Sequence, residues 1–399
     1  MIGLEKFDNL ISLITYFKDN ATCKQFLKEQ RWGDDVVCPY CGHHHCYSRS
    51  NGQFRCPNCL NNFSVLVGTI FENTKIALVK WFSAMYLISS HKKGISSHQL
   101  ARDINVTQKT AWHILHKVRS LYSQDDSIEL SEGVECDEAY IGGDEKNKHE
   151  SKKTEGTQGR SLKTKTPVFG MAQRNGNIVA LKTQDTKGMT LMPIIRQFVK
   201  DGSRIYTDEY IGYNSLVESE YNHSVVNHGA KQFVDGDKHT NTIEGFWAQL
   251  KRAIFGIYHF VSAKYLQRYV DEAVFRYNSR EQSESERFRM MFKRSIGIFR
   301  YADVKNVGQE VEKMICKGYI YHILNETNMK DNFYVLECPK CKRKCGMSIS
   351  DDLLQTYNDI GAKISCPYCS NPYPISPPYL HKGEEEEVAS RNLEVRQLD

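Results

Sequence analysis

The chain has no uninterrupted apolar run of the roughly 18 residues that a membrane-crossing helix needs. Its opening residues, Met1-Ile2-Gly3-Leu4-Glu5-Lys6-Phe7-Asp8, lack the basic-then-apolar pattern of a secretory leader. No membrane partner is expected, and a cytoplasmic location is. Strong net charge is also missing: +5 over 399 residues excludes a chain that is basic throughout. There is no internal repeat beyond two cysteine clusters, one near each end. The charge that is present is uneven. Between Lys146 and Lys165 seven Lys/Arg face two Glu, and Glu384 to Glu387 are four consecutive glutamates. A basic segment suits a polyphosphate partner, or it is a solvated loop. At 40% hydrophobic and 25% charged residues, the length allows two or three domains with a sizeable core.

The 13 cysteines are an odd number, and eight of them fall in Cys-x-x-Cys pairs. In a reducing compartment such pairs read as metal sites rather than disulfides. Cys38, Cys41, Cys56 and Cys59 form two knuckles, and four thiolates suit a closed, structural Zn²⁺ site. Cys338, Cys341, Cys366 and Cys369 repeat the pattern with a longer intervening loop and Cys345 to spare, predicting a second zinc-ribbon-like module. His43, His44, His45 and Cys46 are expected to be exposed rather than ligands. Cys23, Cys136 and Cys316 read as ordinary buried thiols.

Apolar spacing predicts helices over residues 1–30, 76–89 and 108–121, the last capped by Thr107 after an Asn105-Val106-Thr107 turn. Together with residues 96–104 this makes a helix-turn-helix-like hairpin. Its second helix would offer Gln108, Lys109, Thr110, Trp112 and His113 to a DNA groove, although helical hairpins are common without DNA. After a polar linker come a strand over 133–142 and a hairpin of 168–173 with 178–183, closed by Asn175-Gly176. Then follow a helix near 188–200, a strand at 205–207, a helix near 211–219, a strand at 224–227 and helices near 242–254, 263–279 and 285–294. That order predicts an α/β mixed sheet covered on both faces. The expected divisions are 1–66 (leading helix and zinc ribbon), 67–123 (helical), 131–297 (the sheet domain), 298–375 (the second cysteine module) and a disordered acidic tail, 376–399.

Three carboxylates carry the chemistry. Asp137 lies mid-strand, Asp208 ends an apolar strand, and Glu244 opens an amphipathic helix after 35 intervening residues. Acidic oxygens brought together are hard ligands for Mg²⁺ or Mn²⁺, and a pair of such ions can serve phosphoryl chemistry. Singly, each acid reads better as a surface residue or cap; the three together, with a matching strand order, read as a site. Lys251 falls two helical turns after Glu244, about 10 Å along the same face, where it can hold a DNA phosphate. Arg252 and Lys264 read as solvent or backbone contacts. His239 either orients the site or is a loop histidine, and Trp247 reads as packing more than base stacking.

The stretches Val134-Glu135-Cys136-Asp137-Glu138-Ala139-Tyr140-Ile141-Gly142-Gly143, Ile205-Tyr206-Thr207-Asp208-Glu209, His239 to Arg252 and Phe275-Arg276-Tyr277-Asn278 resemble those of DDE insertion-sequence transposases with an N-terminal zinc ribbon and an ISXO-type transposase domain. The likeness spans roughly residues 15–295. It implies a ribonuclease-H-like fold and DNA cleavage and strand transfer with two Mg²⁺ or Mn²⁺ ions. It also implies assembly of two or more subunits on terminal inverted repeats and, for a bacterial source, association with the nucleoid. Asp137, Asp208 and Glu244 would be the metal-binding acids, and Lys251 their basic companion. The second cysteine cluster and the acidic tail depart from that pattern. A non-cutting regulator derived from a transposase and a stand-alone nuclease of the same fold remain the other readings.

Overall fold

The computed structural model describes residues 7, 9–124, 128–142, 149–154, 156, 159, 161–217, 219–226 and 239–296, and beyond these the backbone of five short strands. The chain divides into two compact units, residues 1–320 and 321–399. In the second, β9 (Asn332–Glu337), β10 (Lys344–Ile349) and β13 (Leu380–Lys382) form an antiparallel sheet in the order β10-β9-β13. There β11 (Lys363–Ser365) pairs with β12 (Pro372–Pro374). Cys338, Cys341, Cys366 and Cys369, the expected second zinc module, lie outside the described residues, as does Cys316. The tail expected to be disordered from residue 376 instead contributes β13, paired with β9, and the rest of it lies outside the described residues.

The first unit begins with two helices where the apolar spacing suggests one: α1 (Leu10–Tyr16) and α2 (Asn20–Trp32). The break follows from Asp19, whose carboxylate accepts from Thr22 N–H at 2.7 Å and so starts a new helix. A three-stranded sheet of two-residue strands, β1 (Tyr47–Ser48), β2 (Phe54–Arg55) and β3 (Asn62–Phe63), carries the first cysteine knuckles. Then come α3 (Leu78–Ser90), α4 (Ser97–Asp103) and α5 (Gln108–Arg119). Thr107 caps α5 as its sequence predicts, accepting from Thr110 N–H, and Asn105 supplies the left-handed residue of the turn (φ 49°). These helices share one core with α9 (Glu284–Ser295), through Phe26, Phe82, Phe288 and Phe292.

A five-stranded mixed sheet follows, in the order β6-β5-β4-β7-β8. β4 (Gly133–Gly142), β5 (Lys165–Gln173) and β6 (Ile178–Lys182) are antiparallel neighbours, whereas β7 (Arg204–Thr207) and β8 (Asn222–Val225) add in parallel. Alternation along β4 sends Val134 and Cys136 to one face, under α6 (Gly188–Phe198). It sends Ala139 and Ile141 to the other, under α7 (Asn241–Ala253) and α8 (Leu266–Asn278). The helix expected near 211–219 is a tighter 3₁₀ segment, Ile211–Leu216. Tertiary anchors set it: Tyr213 donates its hydroxyl to buried Glu138 at 2.7 Å, and Gly212 sits where a Cβ would lie 2.6 Å from the Thr186 carbonyl oxygen.

The outer edge of β6 is closed by side-chain amides instead of another strand. Asn278 both accepts from Ile178 N–H (2.8 Å) and donates to its carbonyl (3.0 Å). Gln124 does the same at Ala180 (3.0 and 2.6 Å), and Gln267 accepts from Lys182 N–H at 2.6 Å. This removes an edge that could pair with another chain. It also accounts for part of the Phe275-Arg276-Tyr277-Asn278 motif. Arg276, itself only partly buried, joins an ion cluster in which buried Glu272 meets buried Arg119 at 2.7 Å and Arg276 at 2.6 Å. Burial raises the Glu272 carboxyl, but the two guanidiniums outweigh it and hold it down at about 2.

Candidate metal centre and carboxylate site

The four N-terminal cysteines converge, all four sulfurs lying within 4.8 Å of one another. Cys38 and Cys59 are 3.6 Å apart and Cys41 and Cys56 3.5 Å. A tetrahedron of thiolates about 2.3 Å from Zn²⁺ requires separations of about 3.8 Å, so the donor set fits that ion. The two knuckles share one backbone solution. Gly42 and Leu60, each directly after the second cysteine of its pair, are both left-handed (φ 71° and 58°). Gly42 and Leu60 N–H groups return to the carbonyls of Cys38 and Cys56. His43, His44 and His45 are exposed, and Asp35 binds the rings of His44 (2.6 Å) and His45 (3.0 Å) outside the cluster; Cys46, expected to be exposed, is instead buried, its thiol directed to the His43 carbonyl.

The carboxylates are held by the sheet and by α7. β4 and β7 run parallel and in register through Glu135 and Tyr206, and Asp137 and Asp208 each lie two residues further along. Asp208 Oδ1 accepts from Tyr210 N–H at 3.0 Å. Glu244, in the first turn of α7, is exposed and accepts from Thr240 Oγ1 at 2.8 Å. Burial first, then the charges of Glu138, Asp208 and Glu244, push the Asp137 carboxyl up to about 7, against the pull of a backbone hydrogen bond. The three acids are thus near enough to repel. Their oxygens are not drawn into a tight cluster: among the described residues only the four cysteines place three or more such ligand atoms within 4.8 Å.

What sets α7 against β4 is a residue the sequence did not single out. Glu135 is fully buried and accepts from the N–H groups of Thr242 (2.7 Å) and Ile243 (3.1 Å), from Thr242 Oγ1 (3.0 Å) and from Arg174 Nε (2.9 Å). It is an N-terminal cap reaching across more than a hundred residues of chain. No sequence rule of local capping could have found it. Arg174 stacks on Tyr206 at 3.9 Å and donates to the His239 carbonyl. His239 Nδ1 lies 3.1 Å from Glu135, and it is the carbonyl of His239, held by Arg174, that ties the turn before α7 to the same group.

Trp247 does more than pack. Its ring covers Gly170, the cross-strand partner of Asp137, and its Nε1 donates to Asp137 Oδ2 at 3.1 Å. Lys251 and Arg252 are exposed near the C-terminal end of α7. On the helical hairpin, Gln108, Lys109, Trp112 and His113 are exposed and Thr110 is half-buried. Gln108 donates to Ser97 at 2.8 Å, and Trp112 stacks on His116 with ring centroids 4.0 Å apart.

Against known families, the ISXO2-like transposase domain matches residues 129–278, and the transposase zinc-ribbon domain matches residues 18–62. The chain belongs to the ISXO2-like transposase family. Within that family's span the transposase domain covers β4 to α8, every strand and helix described around the carboxylates. The transposase zinc ribbon contains all four converging cysteines.

An uncharacterized protein in transposable element ISH50 of Halobacterium salinarum is 29% identical over 258 residues, covering 60% of this chain and 84% of its own length. An uncharacterized transposase-like protein of Haemophilus influenzae is 32% identical over 97 residues, 24% of this chain and 77% of its own. The solved Mos1 strand transfer complex aligns at 12% identity over 59% of this chain and 77% of that one, with a TM-score of 0.22. A superposition that loose carries no argument. Among the described residues no helix is long and apolar enough to cross a membrane.

Proposed function

We propose that this chain is an insertion-sequence transposase that binds the terminal inverted repeats of its element, cuts DNA there and transfers the freed strand to a target. The observation that carries the reading is the parallel register of β4 and β7, which puts Asp137 and Asp208 each two residues beyond the paired Glu135 and Tyr206; the half-buried Asp137 carboxyl is raised by burial and by the charges of Glu138, Asp208 and Glu244. Acids gathered at such a cost suit divalent cations, which relieve the repulsion. Asp137, Asp208 and Glu244 would hold Mg²⁺ or Mn²⁺, and two such ions, when bound, activate the attacking oxygen and stabilise the leaving one.

The remaining roles belong to protein groups. Trp247 holds Asp137, Thr240 holds Glu244, and Lys251 meets the phosphate beside the scissile bond. In the first step water adds to phosphorus and the strand's 3′-oxygen leaves with a proton, giving a 3′-OH. In the second that 3′-OH attacks a target phosphodiester, so one P–O bond forms as one breaks and no further energy source is required.

The sheet, three antiparallel strands extended by two parallel ones, we read as ribonuclease-H-like. The domain division at 1–66, 67–123, 131–297, 298–375 and 376–399 is part of the same reading, with a second Zn²⁺ in the fourth segment. Gln108, Lys109, Thr110, His113, Lys251 and Arg252 are the DNA contacts, and two or more copies would assemble on the element ends.

The test is cleavage and joining of a labelled duplex bearing the repeat that flanks the gene, with Mg²⁺ or Mn²⁺. The native chain should release a 3′-OH and join it to target DNA, and Asp208→Ala should abolish both. Equal activity in the two proteins, or none in either, overturns the proposal. Cutting without joining favours a nuclease.

A further inference from the structure

Away from the carboxylates, a cleft of about 660 Å³ opens between the α4–α5 pair and the turn that follows α7. That volume is within the range of small-ligand sites, roughly 300–1,000 Å³. Its walls are aromatic: Trp112, 37% exposed, with Tyr258, Tyr269 and, 69% exposed, Phe260. Arg119 also lines it, although that residue is 1% exposed. The Arg119 guanidinium lies over the rings of Tyr269 (4.1 Å) and Tyr258 (5.0 Å), and its Nε donates to Glu272 at 2.7 Å. Its Nη2 is buried and has no hydrogen-bond partner among the described residues.

We infer that this cleft takes one unstacked nucleobase bearing a carbonyl acceptor, thymine or guanine, from the DNA the chain binds. The inference rests on the DNA-binding part of the proposed function. Aromatic walls stack on the π-face of any base. The donor at Arg119 selects among bases, because an arginine N–H needs an acceptor and a keto oxygen is one. A buried N–H without a partner is costly, so an acceptor arriving from outside gains what the fold leaves unmade. The surroundings fit the rest of a nucleotide: Lys92 and Lys93 precede the cleft's Gly94 and are exposed, as is Lys109 on α5. The cleft also touches the machinery. Gly256 follows Glu244 by twelve residues, about 18 Å of helix, so a base held here is tied to α7 itself.

The probe is a set of labelled ten-nucleotide single strands without divalent cation: (dT)10, (dA)10 and an abasic decamer of equal charge. The full chain should bind (dT)10 about fivefold or more tightly than the abasic strand, as expected for one stacked base, and more tightly than (dA)10. Gly256→Phe should remove the preference, since a Cβ at Gly256 meets no protein atom within 4 Å and the added ring is free to occupy the cleft. Trp112→Ala, at a half-exposed position, should lower it independently and carries the test if Gly256→Phe alters thermal unfolding. Equal affinity for the three strands, or both variants binding (dT)10 as the native chain does, overturns the inference. Loss of strand joining with the (dT)10 preference intact would instead count against the catalytic reading alone.

Discussion

Trp247, on α7, donates its indole N–H to Asp137, on β4, at 3.1 Å, with its ring resting on Gly170, the residue paired to Asp137 across the sheet. One side chain thereby sets both the position of an acid and the spacing of the helix that carries another. A Cβ on Gly170 would come 2.6 Å from the indole, so the small residue in β5 and the large one in α7 are complementary.

Trp247→Phe keeps most of the packing and deletes the donor. Removing a partner that orients a metal-binding acid typically costs 10–100-fold in activity or metal affinity. We expect strand cleavage to fall by about that factor, with binding to a terminal-repeat duplex unchanged in a gel-shift assay. Parallel loss of binding and cleavage would mean the helix itself had moved.

Glu135→Ala should be among the more destabilising single changes in the first unit. It strips two N–H groups at the start of α7 of their acceptor and leaves Arg174 without its carboxylate. A broken buried pair costs about 3–5 kcal/mol, and urea unfolding would read the loss. Glu135→Gln, which keeps an oxygen for the helix, should recover part of it. An unchanged midpoint in both would show that the cap contributes nothing.

Asp137 should make the protein free of added Mg²⁺ or Mn²⁺ less stable as pH rises. Its folded carboxyl titrates at about 7 and its ordinary value is 3.8. Below about pH 4 both states hold the proton and nothing is lost. Between pH 4 and 7 the unfolded chain releases it first, and stability falls by at most about 4 kcal/mol. Asp137→Asn should therefore raise the unfolding temperature at pH 8 and leave it unchanged at pH 4, and adding Mg²⁺ should narrow the gap at pH 8. A pH-independent difference would place the effect elsewhere.

Zinc removal should unfold the knuckles, because little else orders strands of two residues. Metal analysis should return at least one Zn²⁺ per chain, and chelation should expose Trp32, which packs on Phe54 and Phe63, as a red-shifted emission. A chain that loses zinc with no spectral change would show the ribbon to be held by its apolar contacts.

Much was legible from local chemistry. Two Cys-x-x-Cys pairs announced a metal site because ligand spacing is a property of a short segment. Thr107 announced a helix start because capping spans three residues. The strand expected at about 133–142 is β4, Gly133–Gly142. The edge closure of β6 was not legible. Gln124, Gln267 and Asn278 are ordinary polar residues until the fold brings them to one strand's open backbone groups.

The sequence by itself determined the family, the first zinc ribbon and the elements of an α/β sheet, since each rests on residue types at short spacing. Tertiary structure alone decided that β7 pairs in parallel beside β4, that Glu135 caps a helix 107 residues on, and that Trp247 grips Asp137. Those contacts depend on which strand lies next to which. Burial then converts them into consequences: inside the sheet a carboxylate must find donors, as Glu135 does, or resist ionising, as Asp137 does.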